Sequence, residues 1–349
     1  MIYTADSSDR SSLTLLIPGL LGFAVDDGED DDIPAAPALG TILSRADRLP
    51  APDGCLEEQL FALFGVEAPE EGDLPVASVT RVLDLGVIDK GWWLRADPVH
   101  LRPERDRLIL FDTQAVPLGQ EEASRLAAEV SEAYAAEGWL LKAPRPGRWY
   151  LKPPHVPSIT TTALPHVVGK DIHPYLPRGR DGKAWHTLLN EVQILLHTAA
   201  VNADREQRGE LPINSLWFWG GGRLPSVAPV EWVQVSSEEP VSLALARLAE
   251  VRTGARPDSF ADWQRQANGR GAHLVVLDQL RAAVQYGERE QWCSFIEQLE
   301  RDWMAPLLQA LRAHEVAALT LYVDGGAYRL TAAQTRRWWR RRRPLSAFR

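Results

Sequence analysis

Residues 196–225 read LHTAAVNADREQRGELPINSLWFWGGGRLP, a run that joins the end of a helix, a polar turn, an apolar strand and three consecutive glycines. Leu189, Val192, Leu195 and Leu196 recur at helical spacing, and residues 205–209 with Pro212 break that helix. Ser215 to Trp219 then reads as a short buried strand. Gly220, Gly221 and Gly222 follow it, where backbone can turn sharply or approach a ligand with no Cβ in the way. In an α/β protein, that is the address of a site.

Outward from this unit the same alternation continues. LTLLIP (13–18) reads as a strand, 37–49 and 57–65 as helices, LILF (108–111) as a strand, 120–136 as an amphipathic helix and 148–151 as a strand. After the glycines, 231–235 reads as strand, 240–252 and 258–268 as helices, 273–277 as strand, 291–313 as a long helix and 318–323 as strand. A last helix is expected to start after Thr331, a residue suited to an N-cap. Strands alternating with helices predict an α/β fold with a largely parallel sheet. A stretch rich in proline and acid, 67–75, marks the exit from the first block.

The opening unit resembles a segment of the archaeal-type cofactor-independent phosphoglycerate mutases. The matching residues are His197, Asn202, Arg205, Arg208, Gly209, Pro212, Asn214, Gly220 and Gly222. TTALPHVVGK (161–170) is similar to a second stretch of that family through Pro165, His166, Gly169 and Lys170, and QLFALFG (59–65) to the apolar helix after its nucleophile. The resemblance implies an alkaline-phosphatase-like core, 1–104 with 216–349, and a smaller inserted α/β domain, 105–215. It also implies two metal ions, Mn or Mg, that activate a serine or threonine.

Those chemical parts are thin in this chain. Gly19 stands where the family's first metal-ligand aspartate is expected, with Asp26 and Asp27 reading as an ordinary acidic loop. The nucleophile region, PDGCLEE (52–58), has no Ser or Thr, which leaves Cys55 as the sole candidate nucleophile. Asp278 and Asp324 are candidate metal ligands, but the histidines that accompany them in the family are missing. The chain has no GxSxG, Walker A or HExxH motif. What remains is a set suited to anions: His166, Lys170, His173, His197, Asn202, Arg205, Arg208, Asn214 and Arg223.

Composition bounds the rest. The chain has 349 residues with 45% hydrophobic content, enough for one to three domains, and a net charge of −9 that disfavours general nucleic-acid binding. Two cysteines without paired spacing fit a reducing cytoplasm, and no segment reads as a transmembrane span or basic leader. The run RRWWRRRRP (336–344) reads as the solvated end of a terminal helix with Trp338 and Trp339 turned inward. Contact with nucleic acid or anionic lipid is the alternative. The thirteen tryptophans read as packing residues, with a protein interface as the alternative.

The expected function is that of a phosphoglycerate-mutase-like protein whose two-metal centre has degraded. It would bind a phosphorylated or carboxylated small molecule, or a protein partner, in a regulatory role. The alternatives are an active mutase (an isomerase) or metal-dependent phosphatase, and an adaptor using the basic run.

Overall fold

The computed structural model describes residues 11–22, 33–50, 54–67, 69, 72–267 and 270–348. The acidic loop expected at 26–32 lies outside the described residues. The chain divides into two compact units, residues 1–65 with 227–349, and residues 66–226. Strands and helices are numbered along the chain.

The first unit is built on a seven-stranded sheet. Its strands are β1 (Ser12–Leu16), β2 (Asp47–Leu49), β8 (Trp232–Ser236), β9 (Arg252–Gly254), β10 (Ala272–Val276), β11 (Ala318–Val323) and β12 (Gly326–Thr331), in the order β2-β12-β11-β1-β10-β8-β9. β1 lies between β10 and β11 and is parallel to both, and β8 and β9 continue the parallel set. Only β12 runs against the others, pairing antiparallel with β11 and with the edge strand β2. The reason β1 is central is legible in SLTLL: Leu13, Leu15 and Leu16 are fully buried, as a strand covered on both faces requires.

Helices α1 (Pro37–Arg45), α2 (Leu56–Leu63), α7 (Pro240–Leu248), α8 (Phe260–Gln266), α9 (Leu280–Tyr286), α10 (Arg289–Leu299) and α11 (Ala305–Arg312) complete this unit. α1 has no side-chain cap of its own. Glu300 supplies one, accepting from the N–H groups of Ala38 (2.6 Å) and Leu39 (3.0 Å). The long helix expected at 291–313 is α10 and α11 joined by a π turn, Glu300–Met304, just ahead of Pro306. That turn carries Glu300 to α1. The helix expected after Thr331 is absent; two short 3₁₀ turns, Gln334–Arg336 and Leu345–Phe348, flank an irregular arginine run that ends at Pro344. Consecutive like charges gain nothing from helical stacking. Trp338 and Trp339 are 79% and 64% exposed, so the expectation that they pack inward is corrected.

The second unit contains a five-stranded antiparallel sheet, β3 (Trp93–Glu104), β4 (Arg107–Phe111), β5 (Leu140–Arg145), β6 (Arg148–Lys152) and β7 (Ser215–Gly222). β3 pairs with β4, β6 and β7, and β5 with β6. α4 (Gln120–Tyr134) and α5 (Gly182–His197) bury Leu126, Val130, Trp185 and Val192 against Leu94, Ala96, Leu216 and Phe218 of the sheet. α3 (Val76–Leu85) packs Ala77 against Trp93 and Tyr150, and α6 (Ala200–Gln207) follows α5. The boundaries differ from those expected at 104/105 and 215/216. The physical reason is β3: its partners β4, β6 and β7 all lie in this unit, so residues 93–104 and 215–222 go with them.

A buried polar pair sits within that sheet. Arg95 Nε and Nη2 donate to Asp97 at 2.9 and 2.7 Å, and Asp97 also accepts from Trp219 Nε1 (2.8 Å) and the Trp149 N–H (3.2 Å). Burial still raises the Asp97 pKa, although Arg95 and these donors oppose the rise. The pair is therefore viable only as a complete network.

Candidate functional site

In open α/β sheets, ligands bind beyond the carboxyl ends of the parallel strands, and that edge of the first unit holds the residues the family pattern points to. β1 leaves through Ile17, Pro18 and Gly19, the last with φ +81°. The Gly19 N–H donates to Asp324 Oδ2 at 2.7 Å, and its carbonyl accepts from Trp292 Nε1 at 3.0 Å. A Cβ on Gly19 would lie 3.0 Å from Val284 Cγ2 and 3.3 Å from Leu280 Cβ. An aspartate here would be strained by the backbone conformation and would need Val284 and Leu280 to give way by a few tenths of an ångström.

The other carboxylates at this edge are matched by arginines. Asp278, just after β10, accepts from Arg256 Nη1 at 3.1 Å, and Arg256 Nη2 lies 3.2 Å from Glu238. Glu57 in α2 accepts from Arg281 Nη2 at 2.8 Å. Burial works against the Glu57 charge, but the Arg281 guanidinium outweighs it and holds the pKa below the usual value. Glu239 is buried and caps α7, accepting from the N–H groups of Val241 (2.9 Å) and Ser242 (2.6 Å). Burial, reinforced by the Glu57 charge, pushes its pKa up to about 7. Cys55, the residue preceding α2, has its thiol pushed far above the ordinary value by burial, then by Glu57 and Glu58. A thiol held protonated is a poor nucleophile.

The two-metal centre of the family does not fit this donor set. Asp324 is engaged with the Gly19 N–H and Asp278 with Arg256. Among the described residues of this unit the histidines are His273 and His314; His273 lies within β10, edge-on to Trp263. Neither imidazole of this unit is therefore placed as a ligand beside Asp278 and Asp324, and two aspartates alone fall short of a binuclear site.

The glycine unit of residues 196–225 lies in the second unit, and its polar residues are largely consumed by the fold. Asn202 Nδ2 donates to the carbonyls of Leu196 (2.7 Å) and Ile213 (2.8 Å) while its Oδ1 accepts the Ile213 N–H (2.9 Å). Arg205, buried, bonds the carbonyls of Leu211 and Pro117 and the Glu122 carboxylate. Arg208 pairs with Glu122 and Glu210, and Asn214 makes a two-way link to the Leu101 backbone. His197 ends α5 exposed; Lys170 is exposed over the Tyr175 ring, His173 pairs with Asp171, and His166 lies in a 3₁₀ turn, half-buried. These residues do not converge on one point.

The glycines belong to β7 itself and do not follow it. A Cβ at Gly221 would lie 2.5 Å from the Trp92 ring, and one at Gly222 2.6 Å from Pro75. Close packing explains them. They also wall a cleft of about 820 Å³ whose lining includes Asp73, Trp92, Thr160 and Arg223. Asp73 accepts from Thr161 and from the Gly221 N–H, and burial raises its pKa. Arg223 is exposed, with Nη1 on the Lys90 carbonyl. Of the anion-suited set, Arg223 alone lines this cleft.

Sequence reasoning missed Glu57, Glu239, Arg256 and Arg281 because they are scattered along the chain and meet only through the fold. The one local signal was SSEEP (236–240), an acid directly before a proline-started helix.

This parallel sheet with an inserted antiparallel unit is an alkaline-phosphatase-like scaffold. In sequence, parts of the chain are similar to cofactor-independent phosphoglycerate mutases. It is 40% identical over 67 residues to the 2,3-bisphosphoglycerate-independent phosphoglycerate mutase of Methanosarcina mazei, 19% of this chain and 17% of that protein. It is 25% identical over 172 residues to a probable enzyme of the same name from Geobacter sulfurreducens, 48% of this chain and 42% of that one. The matches thus span under half the length of these curated relatives. The PH0037 protein of Pyrococcus horikoshii shares the fold, with a TM-score of 0.54 at 13% identity over 92% of this chain and 87% of that chain. No family model matches the chain.

Proposed function

We propose that this chain keeps a phosphoglycerate-mutase-like scaffold, no longer performs two-metal phosphoryl transfer, and works as a binding protein for a small phosphorylated or carboxylated acid. The observation that carries this reading is Gly19, which offers no ligand side chain where the family has an aspartate, whose N–H and carbonyl are taken by Asp324 and Trp292, and whose φ and neighbours disfavour a larger residue. With Cys55 held as a thiol, Asp278 paired with Arg256 and Glu57 with Arg281, the edge lacks an activated nucleophile and the Asp/His set of a two-metal centre. Ligand binding falls instead to the cleft beside β7. Trp92 supplies an apolar wall, Arg223 a guanidinium with donors to spare for a carboxylate or phosphate, and Asp73 a partner for ligand hydroxyls.

Two measurements test the two halves. Coupled assays of 3-phosphoglycerate and 2-phosphoglycerate interconversion with added manganese should give no turnover; activity abolished by chelator overturns the loss of catalysis. Calorimetric titration with the same two acids should give saturable binding, weakened at least about tenfold by Arg223→Ala. Heat-silent titrations with both acids would refute the binding role.

A further inference from the structure

Residues 336–343, RRWWRRRR, are absorbed by neither the sheet edge nor the cleft. The segment is fastened to the first unit along its length. Thr335 and Leu345 are buried on either side of it. Arg337 Nη2 donates to Asp47 at 3.1 Å, Arg340 Nη1 to the Ala46 carbonyl at 2.6 Å, and the Arg343 N–H to Ser44 Oγ at 2.9 Å. The Arg343 carbonyl sits so near α1 that a Cβ on Gly40 would lie 2.6 Å from it.

Between these anchors the backbone turns Trp338 and Trp339 into solvent, 79% and 64% exposed, with ring centroids 6.1 Å apart. Arg336, Arg341 and Arg342 are exposed beside them and have no ion pair among the described residues. Of the other eleven indoles none is exposed to this degree: Trp93, Trp149, Trp185, Trp217, Trp219, Trp263, Trp292 and Trp303 are each at most 4% exposed, and Trp92, Trp139 and Trp232 are half-buried. An anchored segment that holds two adjacent indoles outward within a ring of free guanidinium groups has the chemistry of an anionic, partly apolar partner.

Ring geometry chooses between the two such partners. The indole planes stand at 84°, the edge of one against the other, so they offer no shared stacking platform for successive bases. A bilayer interface makes no such demand; it needs amphipathic rings at headgroup depth and arginines at the level of the phosphates. Among the described residues no helix is long and apolar enough to cross a membrane, so the contact would be peripheral. We propose that residues 336–343 form a docking surface for an anionic lipid bilayer, with Trp338 and Trp339 entering the headgroup layer and Arg336, Arg341 and Arg342 pairing with lipid anions.

The test is co-sedimentation of the full chain with vesicles of phosphatidylcholine alone and of phosphatidylcholine with about one-third phosphatidylserine. Binding is expected only to the second, and it should weaken as salt rises. W338A/W339A should lower partitioning at least about tenfold, and R341A/R342A roughly thirtyfold. Both variants should keep the parent circular dichroism and a Tm close to the parent's, because these side chains make no hydrogen bond or ion pair among the described residues and only the Arg342 stem lies against α1 at Gly40. Failure to bind phosphatidylserine vesicles, or binding that both variants leave unchanged, overturns the proposal. So does preferential, salt-sensitive capture of a single-stranded RNA oligomer, or self-association, lost in W338A/W339A.

Discussion

The turn-rich segment 196–225 and the carboxyl edge of the parallel sheet make opposite use of their polar residues. In the segment, Asn202, Arg205 and Asn214 are close in sequence and look like ligand donors, yet each is spent on backbone groups of its own unit. At the sheet edge, Gly19, Glu57, Asp278 and Asp324 are far apart in sequence and come together only through the fold, where backbone groups and arginines satisfy the acids. A motif that matches a family need not mark its chemistry. Here the recognisable stretch is the one that ties helix to strand, and the acids at the sheet edge are paired with groups of their own unit.

The largest effect expected from this contrast is at Arg205. Its guanidinium is buried and satisfies the Pro117 and Leu211 carbonyls together with Glu122. Arg205→Ala leaves those acceptors unpaired and should destabilise the second unit by about 3–5 kcal/mol, read from its transition in urea. A loss under about 1 kcal/mol would mean that Arg205 faces a ligand site after all.

At the sheet edge the matching experiment is pH. Glu239 ionises near its ordinary 4.5 in the unfolded chain but at about 7 in the folded one. Between those values the folded state binds more protons, so stability falls as pH rises through the window. Above it the chain carries the full cost of the buried charge, on the order of 3 kcal/mol. Glu239→Gln should flatten that stretch of the stability profile, measured by denaturation at a series of pH values. An unchanged slope would assign the titration to another group.

Gly221 gives a smaller effect. Gly221→Ala brings a Cβ to 2.5 Å from the Trp92 ring and should cost about 1–3 kcal/mol while narrowing the cleft. A neutral substitution would show that Trp92 swings aside, and ligand titration of the same variant would then show whether the ring is a wall.

The fold was legible where one residue pattern meant one environment. SLTLL and the apolar stripe of 120–134 declare a buried strand and a one-sided helix, and both are where the pattern places them. β3 was hidden: WLRADPVHLRPE mixes charges and prolines, which argue against a central strand. It survives because Arg95 neutralises Asp97. Pro98 lies on a stretch with β7 on one flank, past the last β6 pair at Arg95 and before the first β4 pair at His100. Trp338 and Trp339 were misread for a related reason: periodicity reports which residues are apolar, and only tertiary anchors such as Arg337 on Asp47 decide which way a short irregular segment turns.

The smallest expected effect is also the sharpest test of the sheet edge. Arg256 is mostly shielded and bridges Asp278 and the exposed Glu238, so Arg256→Ala removes an ion pair worth no more than about 1 kcal/mol. The informative readout is the response to manganese. If Arg256 merely masks a metal site, its removal frees Asp278, and millimolar manganese should raise the variant's Tm, since an ion bound only to the folded state stabilises it. The geometry predicts no such rise, because Asp324 remains on the Gly19 N–H and neither histidine of this unit, His273 or His314, follows a parallel strand. A manganese-dependent rise in the variant and not in the parent would identify the arginine as a reversible plug, and the two regions would then differ in occupancy and not in kind.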